Sequence, residues 1–133
     1  MKEAYKYYFL FLLFSWVACT NNKANPAPAK VVLPLPDTVS FHKDIQPIFT
    51  NNCNNEGCHS GNIPSNRINL DSSFAYSQLT KGGSGYVDPI NPQNSVIYVS
   101  IISVSNPMPP SRKLSDYNIQ VVLKWIQQGA KNN

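Results

Sequence analysis

Between Cys53 and His59 the chain concentrates two thiols and an imidazole in seven residues, Cys53-Asn54-Asn55-Glu56-Gly57-Cys58-His59. In a chain of 133 residues that cluster constrains the fold more than any other feature. A domain so small buries too little surface to rest comfortably on its apolar core, and often needs a staple besides. With 42% apolar residues the chain can build one such core. Eleven prolines and only 14% charged residues exclude both a coiled coil and a highly charged disordered chain. A formal net charge of +4, scattered along the sequence, is too small for a nucleic-acid surface. What remains is a loop-rich globule whose staple is to be sought at the cysteines and histidines.

The third cysteine lies in a different setting. Lys2 and Lys6 flank an apolar run from Tyr7 to Ala18, which ends at Cys19. The run is too short for a bilayer span, which takes about 20 residues, and suits the core of a signal peptide. Residues 1–18 are therefore expected to be a signal peptide. Trp16-Val17-Ala18-Cys19 resembles the lipobox of bacterial lipoproteins, with Ala18 as the small residue before the cysteine and Trp16 where Leu is usual. The resemblance implies lipidation of Cys19 and a membrane anchor; an ordinary secretory signal is the plainer alternative. Lipidation would also account for the odd cysteine, leaving Cys53 and Cys58 as a pair. Loss of residues 1–18 leaves nine cations against six acids, a charge of +3. Residues 19–40, with Pro26, Pro28, Pro34 and Pro36, read as a semi-rigid tether, with Val31, Val32 and Leu33 as a segment able to dock on the domain.

The remaining residues, 41–133, read as the folded domain. Phe41, Ile45, Ile48 and Phe49 share one helical face leading to the cysteines, with Asp44 as a candidate cap and Pro47 as a start or a kink. A second short helix is expected from Asp71 or Ser72, carrying Phe74, Ala75, Gln78 and Leu79 into a glycine-rich stop. Ser95 to Val104 is rich in Val and Ile, and by propensity alone reads as a strand. Ser115 caps a final helix whose apolar face is Ile119, Val122, Leu123 and Ile126, with Trp125 beside it and Gly129 at the stop.

The spacing Cys-x-x-Cys-His attaches c-type haem: two thioethers fix the porphyrin, and the adjacent histidine becomes an iron ligand. Here four residues separate the cysteines, and the turn formers Asn54, Asn55 and Gly57 let the extra two bulge outward. A Cys53–Cys58 disulfide in an exported protein is the alternative, and zinc, lacking a fourth ligand, a weaker one. Met108, in Asn106-Pro107-Met108-Pro109-Pro110, is the one methionine after Met1 and sits in a rigid segment suited to holding a ligand. Packing against the core is its other reading, and His42 is the competing sixth ligand.

Taken together, Phe41 to Phe49, Cys53 to His59, Asn94 to Tyr98, Met108-Pro109-Pro110 and Leu114 to Ala130 resemble the small class I c-type cytochrome domains of bacterial exported lipoproteins, including the planctomycete-type cytochrome c group. The resemblance covers most of the chain after Ser40. It implies a mainly α fold packed around one covalently bound haem c, a helical Ser95 to Ser103, and a last helix crossing the first. It further implies thioethers at Cys53 and Cys58, and His59 and Met108 as axial ligands. With both axial positions filled, a monomeric electron carrier on the periplasmic side of the cell envelope is expected, meeting redox partner proteins through small, transient interfaces. The rival expectations are a haem domain serving an oxidoreductase or peroxidase-like enzyme, and a haem-free, disulfide-closed binding module. Arg67, Arg112, Tyr86 and Trp125 are further residues able to approach the haem.

Overall fold

The computed structural model describes residues 33–62, 64–65 and 68–133. The chain divides into two compact units, Met1–Val31 and Val32–Asn133. The first, with the expected signal peptide and Cys19, lies outside the described residues.

The domain is helical, with no strand among the described residues. A π-helical turn, Phe41–Ile45, runs into α1 (Gln46–Asn52); α2 (Ala75–Leu79), a 3-10 turn (Pro92–Asn94), α3 (Val96–Ile102) and α4 (Asp116–Gln127) follow. No helix among the described residues is long and apolar enough to cross a membrane.

The first helical segment begins earlier than Asp44. Ser40 is its cap, its Oγ accepting from Lys43 N at 3.3 Å, while Asp44 Oδ2 accepts from Ser40 N at 2.7 Å. Asp44 is thus the returning half of a reciprocal cap, which satisfies amide groups that the helix itself cannot. Pro47 falls in the first turn of α1, just where the π-helical turn gives way to α-helix. Packing reaches upstream of Phe41 as well. Val39 is buried, its N–H donates to Gln128 Oε1 at 2.9 Å, and Gln128 Nε2 donates to Asp37 O at 2.7 Å. Leu35 packs against the core, whereas Leu33 is exposed.

The core centres on Phe41, whose ring lies 5.4 Å from Trp125, 5.1 Å edge-on from Tyr76 and 6.5 Å from Phe49. Four aromatic side chains from the first turn, α1, α2 and α4 thereby meet, and rings of this size supply much of the apolar area of a small core. Trp125 is fully buried and donates Nε1–H to Lys131 O at 3.0 Å. The last helix has the cap read from sequence, Ser115 Oγ accepting from Asn118 N at 3.1 Å. Gly129, at φ +89°, ends it in the left-handed region where a side chain would be strained.

α3 is built from strand formers and is nonetheless a helix. Its first amides are satisfied from outside: Val96 N donates to Gly85 O at 3.0 Å and Ile97 N to Tyr86 O at 3.2 Å. Ile101 is buried in the core. Tertiary partners at both its start and its inner face override a propensity difference of well under ~1 kcal/mol per residue.

Candidate functional site

The site grows out of the C-terminal end of α1. Cys53 N and Asn54 N both donate to Phe49 O, at 2.8 and 3.1 Å, so the chain leaves the helix tightly turned. Cys58 N then closes on Asn55 O at 2.9 Å, with Gly57 at φ +79° supplying a conformation that other residues resist. His59 N returns to Cys53 O at 3.1 Å. These bonds fold the four-residue spacer outward: Asn55 and Glu56 are exposed, while Cys53, Cys58 and His59 line one cleft.

Ser65 fastens this loop from the far side. Its N–H donates to Cys58 O at 2.6 Å, its hydroxyl to Gly57 O at 3.1 Å, and its carbonyl oxygen lies 3.2 Å from His59 Nδ1. A carbonyl accepts only, so Nδ1 is the donor in this contact. That is the arrangement by which a second partner orients an imidazole as a ligand. Leu70 N adds a bond to His59 O at 2.7 Å, and Leu70 O accepts from buried Gln46 Nε2 at 3.0 Å, tying the loop back to α1. Asp71 holds the other flank through Asn54 Nδ2 at 3.1 Å and Gly61 N at 3.3 Å.

Met108 reaches the same cleft from a separate segment. It follows α3, and its N–H donates to Ser100 O at 3.1 Å. Pro109 and Pro110 line the cleft beside it, the Met108–Pro109 peptide being cis. The cleft has a volume of about 280 Å³. Its floor is apolar: Phe49, Ile68, Leu70, Leu79, Ile101, Leu114 and Val122 belong both to the cleft and to the core.

Cys53 and Cys58 are free thiols. Burial, with a smaller contribution from the neighbouring Cys58, pushes the Cys53 thiol up from 9.0 to about 11. A thiol so placed stays protonated at neutral pH, unlike the depressed thiols of disulfide oxidoreductases and zinc sites. Among the described residues no three His, Cys, Asp or Glu side chains gather as a metal-ion cluster.

The other residues singled out from sequence fall in different places. His42 is exposed, edge-on to Phe41 at 5.5 Å, and does not line the cleft. Trp125 is in the core rather than on the cleft wall. Tyr86 lines the cleft, and Arg112 touches it indirectly, Nη2 lying 3.5 Å from Oδ1 of the lining residue Asn52. Arg67 lies outside the described residues. Ser65 and Gln46 carry no sequence signal of their roles, because both act on backbone atoms that become neighbours only in the fold.

The donor set suits a c-type haem: two free thiols, an imidazole with its Nδ1 occupied and a thioether share one apolar cleft. Comparison with protein-family models, with curated proteins and with solved structures finds no match.

Proposed function

We propose that this chain is a c-type cytochrome domain that carries single electrons in the bacterial cell envelope. Cys53 and Cys58 would bind one haem c through thioethers, with His59 and Met108 as its axial ligands. The observation that carries the reading is the convergence of Cys53, Cys58, His59 and Met108, from segments about 50 residues apart, on one apolar cleft. When bound, such a group supplies a one-electron ferric–ferrous couple. The protein's own part is positional. Ser65 O holds the His59 Nδ1 proton, the proline segment holds Met108, and the apolar floor excludes water. Two filled axial positions favour electron transfer over a substrate reaction, and a thioether ligand favours a higher potential than a second imidazole.

The remainder of the reading concerns location. Cys19 would carry the lipid, the residues between it and Leu35 would span from membrane to domain, and redox partners would be met transiently on the periplasmic side.

The mass of the mature protein tests cofactor and anchor together, since haem and acyl additions differ. A mass with haem retained after denaturation is expected. A haem-free mass with a Cys53–Cys58 disulfide would return the chain to the binding-module reading. Met108→Ala is expected to abolish the weak methionine-to-ferric-haem absorption band, lower the reduction potential and open the site to cyanide. A wild-type spectrum in Met108→Ala together with an altered one in His42→Ala would reverse the axial assignment. Rapid cyanide or peroxide binding by the wild type would favour the enzyme reading.

A further inference from the structure

Gln46 breaks a rule that the rest of the core keeps. It is the first residue of α1 and is buried, only 7% exposed. Its Nε2 donates to Leu70 O at 3.0 Å and to Thr50 Oγ1 at 3.4 Å, so both amide hydrogens are used. Its Oε1 is shut off from solvent and is the one such side-chain atom without a hydrogen-bond partner among the described residues. Turning the amide over would set Oε1 against Leu70 O, two acceptors face to face, so the orientation is fixed. A buried acceptor left unpaired is costly, and methionine would fill a similar volume without one.

The bond that Gln46 does make explains its place. Leu70 is the middle of a strip, Asn69 to Asp71, and each residue of the strip holds the loop that carries Cys53, Cys58 and His59. Leu70 N donates to His59 O at 2.7 Å and Asn69 Nδ2 to Gly61 O at 3.0 Å, while Asp71 accepts from Asn54 Nδ2 at 3.1 Å and from Gly61 N at 3.3 Å. On its other side the strip is tied to the region of α2. Gln78 Oε1 accepts from Asn69 N, and Phe74 N and Ala75 N both donate to Asp71 O at 2.8 Å. Gln46 supplies the tie from α1. Leu70 is thereby held to α1 by its carbonyl, bonded to His59 by its amide and placed on the cleft floor by its side chain. One buried amide links α1, which runs out into Cys53, to the strip that holds His59.

We infer that Gln46 is a positioning residue of the cofactor loop: it acts through Leu70 to hold the His59 backbone, and the core tolerates its unpaired oxygen for the sake of that bond. The role rests on the cytochrome reading above, in which His59 is an iron ligand. Replacing Gln46 by methionine separates this role from a structural one. Methionine removes the orphan Oε1 and leaves Leu70 O without its Gln46 donor, so one unsatisfied acceptor is exchanged for another and global stability should hardly change. The contact between Leu70 and His59, in contrast, loses its backing.

Amide hydrogen exchange, read by NMR on the full chain as purified, tests the brace. In Gln46→Met, exchange at Leu70 N–H should quicken about fivefold, the factor that one ordinary hydrogen bond carries, while amides in the middle of α4 should change less than about twofold. Thr50→Val, which removes the other partner of Nε2, should leave both as in the wild type. Gln46→Glu, read at about pH 5 where burial keeps the carboxyl protonated, retains one donor for Leu70 O and should stay within about twofold of the wild type. In the haem-loaded protein Gln46→Met should raise the reduction potential, because an imidazole held less firmly is a weaker donor to ferric iron, and Thr50→Val should not. Equal acceleration at Leu70 and in α4, or loss of folding in Gln46→Met, would reduce Gln46 to a packing residue and overturn the proposal. Unchanged exchange at Leu70, or a potential that does not move, would overturn it too. Haem content, read separately as the pyridine complex, reports on the cytochrome reading: a haem-free protein would refute that reading, while the exchange comparison would still decide the brace.

Discussion

Cys53 provides the sharpest physical prediction, because burial acts on its reactivity through two opposing effects. A thiol titrating at about 11 instead of 9.0 has about a hundredfold less thiolate at pH 8. The thiolate that does form is more basic, and a Brønsted slope of ~0.4–0.5 makes it about sixfold to tenfold more nucleophilic over that interval. Ionisation wins, and the net effect is reaction roughly tenfold slower than an exposed thiol, before any steric shielding by Phe49 and Leu70. The assay is the rate of modification by dipyridyl disulfide in the reduced Cys58→Ser variant, followed by mass against pH. Removing Cys58 also removes the smaller of the two causes, so the shift should shrink slightly and not vanish. The rate should climb to about pH 11. A plateau near pH 9 would refute the burial argument.

The same shift has a stability consequence of definite sign. Below pH 9 the thiol is protonated in both folded and unfolded chains. Between pH 9 and about 11 the unfolded chain loses its proton first, so stability falls by about 2–3 kcal/mol as pH rises through that window. A thioether does not titrate, so haem attachment should abolish the loss. A protonated Cys53 also attacks a disulfide slowly.

Other perturbations test the scaffold and the anchor. Trp125→Phe, which loses the Nε1 bond to Lys131 O and part of the indole volume, should lower Tm by about 5–15 °C in a thermal melt, while Trp125→Ala should leave the haem-free chain largely unfolded. Ser115→Ala removes the α4 cap and should cost about 1 kcal/mol in urea unfolding with an unchanged slope. Cys19→Ala should release the protein from the membrane fraction or leave it unprocessed, with the haem spectrum unaltered; full membrane retention of a processed chain would contradict the anchor.

What the sequence revealed follows the range over which each interaction acts. The Ser115 cap and the Gly129 stop are local chemistry, and α4 was legible almost to the residue. The first helix was legible in its apolar spacing and misjudged at its start. A π-helical turn puts the reciprocal cap between Ser40 and Asp44 at i+4, where the usual capping pattern looks for i+3. α3 was illegible by propensity, because the carbonyls of Gly85 and Tyr86 that support its first turn come from another part of the chain. The chemistry-bearing side chains at the cleft were visible as residue types. Their supports were not: Ser65 contributes chiefly its backbone, and Gln46 acts on Leu70 24 residues away.

Seven residues that line the cleft also belong to the core, so the cleft is an unfinished face of the core rather than a pocket set into a complete one. A flat apolar ligand there extends the packing of Leu79, Leu114 and Val122, and each Å² it removes from water contributes about 25 cal/mol. For a covalently attached group that contribution cannot be lost by dissociation, so it belongs to the folded state at every concentration, unlike the stabilisation by a reversible ligand. On the proposed reading, folding and cofactor retention would thereby be coupled through the same side chains. Substituting Leu114 or Val122 should therefore cost more in the haem-loaded protein than in the haem-free one, whereas substituting Val39, which is buried in the core away from the cleft, should cost the same in both. Equal costs at Leu114 in the two forms would show that the cofactor does not complete this core.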